Sequence, residues 1–283
     1  MIERTYSGKP PKTKLPKGAT DTQMHMYLPG YPALPGGPPV PEGTPGPAEY
    51  RKVMDWLGID RVVITQGNAH QADNACLVAS LAEMGDCARG VAVITGETNG
   101  KEMQRLSDAG VRGARIMDLP GGAIGLSGLK AVDKKAHDHG WCVAVQFDGS
   151  NLLDHMPLLQ SVTSRYIIDH HGKFFGEGKP GRAEIDAVKS LIERGNCWFK
   201  FAACYESSKD GGPAYEDIAT VARELAAYAP ERIIWGTNWP HNLAKTTEDY
   251  PNDAALVDTV LSWVREEDLK TILVDNPAEL FGF

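Results

Sequence analysis

The sequence has no excess of positive charge: 29 lysine and arginine residues stand against 37 aspartate and glutamate residues, giving a net charge of −8. This balance argues against nucleic acid or an anionic membrane surface as the main partner. The sequence also lacks any apolar run near the roughly 20 residues of a membrane span, and its first ten residues contain no signal-peptide core. We therefore expect a cytoplasmic protein that acts on a small molecule.

Cysteines are few, and their spacing matches no common framework. The five cysteines are odd in number and form no C-x-x-C pair, which argues against a disulfide scaffold. Several lie inside apolar runs, so we interpret them as buried free thiols in a reducing compartment. No local pattern supports a catalytic thiol. These residues are Cys76, Cys87, Cys142, Cys197 and Cys204.

Short apolar or β-branched runs alternate with amphipathic segments along the whole chain. This alternation predicts a parallel sheet with crossover helices. Eight strands predict closure into a single (β/α)8 TIM barrel, for which about 250 residues is typical. An open doubly wound sheet is the alternative, but no G-x-G-x-x-G follows the first strand. The predicted strands are 19–25, 61–67, 88–94, 111–117, 142–147, 165–170, 197–202 and 232–238.

The domain organisation that we expect is simple. Residues 1–17 are interpreted as an N-terminal tail, and residues 18–283 as one barrel domain that carries the catalytic site. The segment 28–47 is dense in proline and glycine and leaves the carboxyl end of the first strand. We expect it to fold over the mouth, the end of the barrel formed by the carboxyl ends of the strands, rather than to act as a solvated linker.

Polar side chains occur at nearly every predicted strand end. In a (β/α)8 barrel these ends converge on one pocket, which makes their side chains candidates for binding and catalysis. Each has an ordinary structural alternative: Lys200 could pair with Asp169, Arg115 could form a structural ion pair, and Asp118 or Asp148 could cap a helix. The candidates are Gln23, His25, Asn68, His70, Arg115, Gln146, His170, Lys200, Asn238 and His241.

Two of these positions bear on metal binding. A metal hydrolase with this strand pattern needs H-x-H on its first strand and aspartate at the end of its last. Here those places hold Gln23 and Asn238, carboxamides that bind transition metals poorly and cannot act as general bases. His25 and His170 alone would make a weak site, so we predict no metal and no other cofactor.

Five motifs in order resemble the amidohydrolase superfamily. They are D-T-Q-M-H (21–25), G-V-R-G-A-R-I (110–116), I-I-D-H-H-G-K (167–173), W-G-T-N-W-P-H (235–241) and V-D-N-P-A-E-L-F-G-F (274–283). They are similar to its branch of sugar-acid and aromatic-acid lactonases, which includes 2-pyrone-4,6-dicarboxylate lactonase. Metal-independent members with glutamine on the first strand and T-N-W-P-H after the last imply isomerisation of galactaro-1,5-lactone to the 1,4-lactone in galacturonate catabolism.

The residues themselves favour that chemistry. Asn238 cannot deprotonate water, but a substrate hydroxyl at C4 can attack the C1 carbonyl within the same molecule. We expect His170, His25 and Asn238 to be catalytic, with His170 as the first choice of general base and the choice between the two histidines left open. The other candidates would bind substrate, and Arg115 suits its carboxylate.

Competing functions remain open at this stage. A metal-free lactonase that hydrolyses a sugar-acid or pyrone lactone is the nearest alternative, while a decarboxylase is weaker because such members generally retain a metal site. A sugar-acid binding protein is the non-enzymatic alternative. Glu206 lies near where the dicarboxylate lactonases carry a further arginine, which fits a lactone with one free carboxylate. The sequence leaves the oligomeric state open.

Overall fold

A computed structural model describes residues 2–176 and 180–283 and contains eight parallel strands in sequential order. Hydrogen bonds join each strand to the next, and the eighth returns to the first, so the sheet forms a nearly closed barrel. The predicted (β/α)8 barrel is confirmed. The strands are β1 Thr20–Met24, β2 Arg61–Thr65, β3 Ala88–Ala92, β4 Val111–Met117, β5 Cys142–Gln146, β6 Tyr166–Ile168, β7 Cys197–Ala202 and β8 Ile233–Gly236.

Helices follow the strands and cover the outside of the barrel, as amphipathic segments with one apolar stripe require. In chain order they are α1 Pro47–Leu57, α2 Ala75–Met84, α3 Gly100–Asp108, α4 Leu129–Asp138, α5 Leu152–Gln160, α6 Arg182–Glu193, α7 Cys204–Ser207, α8 Glu216–Tyr228, α9 Asp253–Leu261 and α10 Asn276–Phe281. Within the described ranges, no helix is both long and apolar enough to cross a lipid bilayer.

The barrel closes where β1 meets the end of β8. The backbone N–H of Asn238 donates to the Gln23 carbonyl at 2.7 Å, and the N–H of His25 donates to the Trp239 carbonyl at 2.8 Å. Gly236 makes this approach possible, because a Cβ at that position would lie 2.5 Å from the Cβ of Gln23. The closure therefore brings the first and last motifs of the sequence side by side.

The buried side chain of Asp21 stabilises the same junction between β1 and the end of β8. Its carboxylate accepts hydrogen bonds from the Tyr50 hydroxyl (2.6 Å), the Thr237 hydroxyl (2.5 Å) and the backbone N–H groups of Gln23 (2.9 Å) and Thr237 (3.0 Å). Burial raises the pKa of Asp21 to about 6, although these donors oppose the shift. The aspartate of the first motif is thus a structural tie between β1 and the segment after β8.

The chain end covers the barrel opposite the mouth. Leu280 and Phe281 pack into a cluster of inward-facing strand residues that includes Val63 and Val91. The ring of Phe283 lies 4.9 Å from the guanidinium of Arg61, which begins β2. With this end filled, the carboxyl ends of the strands form the accessible side of the barrel.

Residues 2–17 and 28–46 form neither helix nor strand. In the first segment, Leu15 is buried and the Lys9 carbonyl accepts a hydrogen bond from the indole N–H of Trp56 at 2.9 Å. In the second, the backbone N–H of Leu34 donates to the Ala69 carbonyl at 2.8 Å. This contact fixes the second segment against the chain that follows β2.

Candidate active site

Two adjoining cavities lie at the carboxyl ends of the strands. The inner cavity, of about 250 Å³, is lined by His25, Arg115, Gln146, His170, Lys173, Glu206 and Asn238, among others. The outer cavity, of about 570 Å³, is lined by residues 36–42 and 240–244 and by Arg4. His25 and Asn68 line both cavities, so the outer one leads into the inner one.

His25 extends from the end of β1 into this space. Its Nδ1 lies 2.9 Å from the carbonyl oxygen of Thr65, and only 6% of the residue is exposed. Burial lowers the pKa of His25 to about 3, with further lowering by the charges of Arg115 and Lys200. The imidazole therefore stays neutral even at mildly acidic pH, where an ordinary histidine with a pKa of about 6.5 is protonated.

His170 and Asn238 approach each other from the ends of β6 and β8. The Nε2 of His170 lies 3.2 Å from the Oδ1 of Asn238, and both residues adopt left-handed backbone conformations, with φ of 51° and 64°. Burial lowers the pKa of His170 well below its usual value, and the charges of Lys173 and Lys200 lower it further. Strained backbone of this kind persists where the surrounding structure holds it, commonly at functional sites.

The Nδ2 of Asn238 faces the loop after β7. It donates to a carboxylate oxygen of Glu206 at 2.9 Å and to the hydroxyl of Tyr205 at 3.1 Å. That hydroxyl lies 2.7 Å from the Nδ1 of His241, whose Nε2 lies 3.0 Å from a carboxylate oxygen of Asp253. A continuous line of hydrogen bonds thus runs from the start of α9 to His170.

Arg115 occupies the opposite side of the inner cavity at the end of β4. It donates to the Gln66 carbonyl and the Asn68 side chain, both at 2.8 Å, and to the Gln146 side chain at 3.1 Å. Over residues 2–176 and 180–283, no carboxylate forms an ion pair with it, and its buried Nε has no hydrogen-bond partner. Burial lowers the pKa of Arg115 without removing its charge. Neutral groups hold this cation, leaving its charge available to an anion.

Lys200 and Gln23 lie beneath the cavity rather than on its surface. The Nζ of Lys200, fully buried in β7, lies 2.6 Å from a carboxylate oxygen of Asp169 and 2.9 Å from the Oε1 of Gln23. Lys200 therefore forms the ion pair that the sequence left open as its alternative role. Neither Lys200 nor Gln23 lines either cavity.

His70 and His241 lie in the loops that follow β2 and β8. The Nδ1 of His70 is 3.0 Å from the Pro32 carbonyl, and its ring packs against that of Tyr27, so this residue holds the segment 28–46. His241 lines the outer cavity between Tyr205 and Asp253. Of the ten candidates from the sequence, six line the inner cavity, namely His25, Asn68, Arg115, Gln146, His170 and Asn238.

Lys173, Tyr205 and Glu206 are site residues that are absent from the ten candidates predicted from the sequence. Lys173 forms a buried ion pair with Glu206, and both line the inner cavity. Their positions could have predicted this, because Lys173 follows the carboxyl end of β6, and Tyr205 and Glu206 follow the carboxyl end of β7. The residues just after a strand therefore contribute to this cavity as the strand residues do.

The donor set at the closure does not fit a catalytic transition metal. A catalytic zinc usually takes three protein ligands from histidine, cysteine or carboxylate. In the part of the chain that the structure describes, no three such residues are placed to hold an ion together. Gln23 instead accepts a hydrogen bond from the ammonium group of Lys200, and Asn238 bonds to His170.

Comparison with known proteins agrees with this architecture. Residues 19–283 match the amidohydrolase family. D-galactarolactone isomerase of Agrobacterium fabrum is 56% identical over 99% of this chain and 96% of its own length. The 2-pyrone-4,6-dicarboxylate hydrolase of Comamonas testosteroni is 30% identical over 96% of this chain and 92% of its own length. A crystal structure from Agrobacterium tumefaciens, without ligand, superimposes with a TM-score of 0.96 at 56% identity, covering 99% of both chains.

The match spans the barrel from β1 to the last residue and includes both halves of the closure at which the candidate site lies. Relatives at this level of identity share the arrangement of strands that forms the two cavities. The chain belongs to the amidohydrolase family.

Proposed function

We propose that this protein is an isomerase that converts D-galactaro-1,5-lactone to D-galactaro-1,4-lactone by intramolecular acyl transfer, without a metal ion. The observation that carries the proposal is that the inner cavity holds two buried imidazoles, His25 and His170, and that His170 contacts the carboxamide of Asn238 where a hydrolase needs a carboxylate. The 56% identity to a D-galactarolactone isomerase supports the same reaction.

Arg115 binds the free carboxylate of the lactone. A guanidinium matches a carboxylate with two parallel hydrogen bonds, and here these would come from Nε, the one N–H without a protein partner, and from Nη2, with the carboxylate displacing the weak contact of Nη2 to the Met117 Sδ at 3.3 Å. Asn68 and Gln146 hold the guanidinium from either side and keep it oriented toward the cavity. Polar groups around the inner cavity, including Lys173 and Glu206, receive the hydroxyl groups of the sugar acid.

The reaction needs no activated water. The substrate hydroxyl at C4 attacks the C1 carbonyl, and well-oriented groups within one molecule reach effective molarities of about 10⁵ M or more. One imidazole takes the proton from O4 and returns it to O5 as the six-membered ring opens. The other imidazole, with its N–H, stabilises the oxyanion of the tetrahedral intermediate.

The chemistry of the substrate indicates the pathway and the compartment in which the enzyme acts. A lactone of galactaric acid arises when a uronic acid is oxidised, so the enzyme serves galacturonate and galactarate catabolism in the cytoplasm. Its cysteines are free in the described residues, which suits a reducing compartment. The segment 28–47 covers the mouth of the barrel and limits the entry of water.

Product analysis in ¹⁸O-labelled water tests the proposal. Purified enzyme and the 1,5-lactone should give the 1,4-lactone by NMR, with no label above the enzyme-free control, and prior dialysis against a chelator should leave the rate unchanged. Free galactarate carrying one labelled oxygen, without accumulation of the 1,4-lactone, would identify a lactonase instead. A rate equal to that without enzyme would indicate a binding protein.

A further inference from the structure

The direction of each hydrogen bond around Asn238 fixes where His170 carries its proton. The amide group of Asn238 has two N–H hydrogens, and its Nδ2 contacts the carboxylate of Glu206 and the hydroxyl of Tyr205. An ionised carboxylate can only accept, so the amide nitrogen must face it. The Oδ1 of Asn238 then faces the Nε2 of His170, which must be the protonated nitrogen.

The same direction holds along the line that leads away from the cavity. The carboxylate of Asp253 accepts from the Nε2–H of His241, so a neutral His241 has its lone pair on Nδ1. That lone pair accepts from the Tyr205 hydroxyl, whose oxygen is then free to accept from Asn238. Along this line, His241, Tyr205 and Asn238 each donate a hydrogen bond on the side of Asp253 and accept one on the side of His170.

His25 has the opposite tautomer. Its Nδ1 faces the Thr65 carbonyl, which can only accept, so the proton is on Nδ1 and the lone pair is on Nε2. In His170 the unprotonated nitrogen is Nδ1, which is buried without a hydrogen-bond partner: the carboxylate of Asp169 lies 3.8 Å away, beyond hydrogen-bond distance, and is paired with Lys200. A substrate in the cavity therefore meets a lone pair on His25 and an N–H on His170.

We propose that Tyr205, His241, Asp253 and Glu206 are positioning residues that orient Asn238 and so hold His170 as an N–H donor, which leaves His25 as the proton shuttle. This assignment rests on the proposed isomerase function. It replaces the expectation that His170 is the base. The contact between His170 and Asn238, at 3.2 Å, is long for an N–H···O bond, so the N–H can be shared with an oxyanion.

The proton balance is complete without another group. The Nε2 of His25 takes the proton from O4 as the O4–C1 bond forms, and the negative charge moves to the carbonyl oxygen beside the N–H of His170. When the C1–O5 bond breaks, the proton moves from His25 to O5. Both histidines end neutral, and no electron or water molecule is consumed.

Two glutamine variants separate the roles. Glutamine can place an N–H donor near the position of the imidazole Nε2 but cannot shuttle a proton. His25→Gln should therefore lower kcat by about 10² or more, the usual worth of general acid–base catalysis. His170→Gln should lose only about tenfold, while His170→Ala, which removes the donor, should lose about 10² or more. The reverse order for His25→Gln and His170→Gln would overturn the assignment.

Nitrogen NMR of ¹⁵N-histidine-labelled protein reads the tautomers directly and needs no substrate. The expected result is a proton on Nε2 of His170 and on Nδ1 of His25, each a single tautomer. Tyr205→Phe combined with Glu206→Gln should give a mixture at His170 and leave His25 unchanged. A proton on Nδ1 of His170, or a single unaltered tautomer in the double variant, would overturn the proposal.

Tyr228→Phe is the matched control, because this exposed phenol also bonds to a carboxylate, that of Glu193, but lies on the outer face of α8. It should change neither the spectrum nor the rate. The two readouts also separate this inference from the proposed function. Loss of the expected tautomers in an active isomerase refutes the inference alone, whereas the expected tautomers in a protein that does not convert the lactone refute the function alone.

Discussion

On one side of the inner cavity, Lys173 and Lys200 each form a buried ion pair, with Glu206 and Asp169. On the other side, Arg115 is held by neutral carbonyl and amide oxygens. All three cations are almost fully buried, so burial does not distinguish them. The difference lies in their partners: each lysine is paired with a carboxylate, while Arg115 has no carboxylate ion pair among the described residues.

These different partners allow one cavity both to bind the substrate carboxylate and to transfer a proton. Two unpaired cations beside the imidazoles would attract the substrate carboxylate to the reacting end of the molecule. Neutralising both lysines directs the carboxylate to Arg115 and leaves the lactone carbonyl toward His25 and His170. The pKa of His170 stays low, first because of burial and then because of the nearby charges of Lys173 and Lys200.

The largest effect is expected for Lys200→Met, because Asp169 would then remain charged and buried without its partner. Breaking a buried pair in this way costs about 3–5 kcal/mol in the free energy of unfolding. Chemical denaturation measures the loss. Lys134→Met is the control, since the pair of Lys134 with Asp138 is exposed and should contribute about 0.5 kcal/mol or less. Equal losses in the two variants would contradict the structural role of Lys200.

Arg115→Met should mainly impair binding. Removing two charge-assisted hydrogen bonds to the carboxylate should lower kcat/KM by about 10² to 10³, or roughly 2.7–4.1 kcal/mol. Arg115→Lys should recover part of this loss, since an ammonium keeps the charge but not the planar fork. Steady-state kinetics with the 1,5-lactone gives both values. A change in KM of less than about threefold in Arg115→Met would place the carboxylate elsewhere.

Asn238→Asp should alter the product as well as the rate. The new carboxylate would lie beside Glu206, lose both donor contacts and be able to deprotonate water. We expect isomerisation to fall about ten- to a hundredfold, since general-base and positioning effects of this size are common, and galactarate to appear as a hydrolysis product. NMR of the product mixture measures the ratio. Asn238→Gln serves as the uncharged control and should yield no galactarate.

The smallest effect is expected from acid. The pKa of His25 is lowered to about 3, so the shuttle stays unprotonated at pH 5.5, and kcat/KM should vary less than about threefold between pH 7.5 and 5.5. A base with the ordinary pKa of about 6.5 would lose about tenfold over that range. A tenfold decline with a midpoint near pH 6.5 would contradict the lowered pKa.

The free energy of unfolding should decrease as the pH falls from 6.5 toward 3. In the folded protein His25 and His171 have a pKa of about 3, below the unfolded value of 6.5, so the unfolded chain binds protons first. Their contribution is complete above pH 6.5 and is lost as the pH falls from 6.5 toward 3. The raised pKa of Asp21 acts in the opposite direction below pH 6, but this single carboxyl offsets only one of the two histidines, so thermal melts at pH 7.5, 6 and 5 should still show Tm decreasing.

The eight strands could be predicted from the sequence because each buried run is short, apolar and bounded by helical patterns. The structure shortens the sixth, predicted as 165–170, to Tyr166–Ile168. The chain leaves the sheet there because His170, His171 and Lys173 adopt left-handed conformations in the turn that follows. Histidine is enriched in this conformation but adopts it only in a small minority of cases, so the residue type alone does not specify it.

The barrel, the convergence of its strand ends and the two carboxamides at the closure can be predicted from the sequence, because they follow from local periodicity and from the residues present. Which cation lacks a carboxylate partner and which imidazole nitrogen holds a proton depends on contacts that form on folding. Gln23 and Lys200 are 177 positions apart, and His170 and Asn238 are 68 apart. Charge pairing and hydrogen-bond direction arise between such distant residues, and no local pattern encodes them.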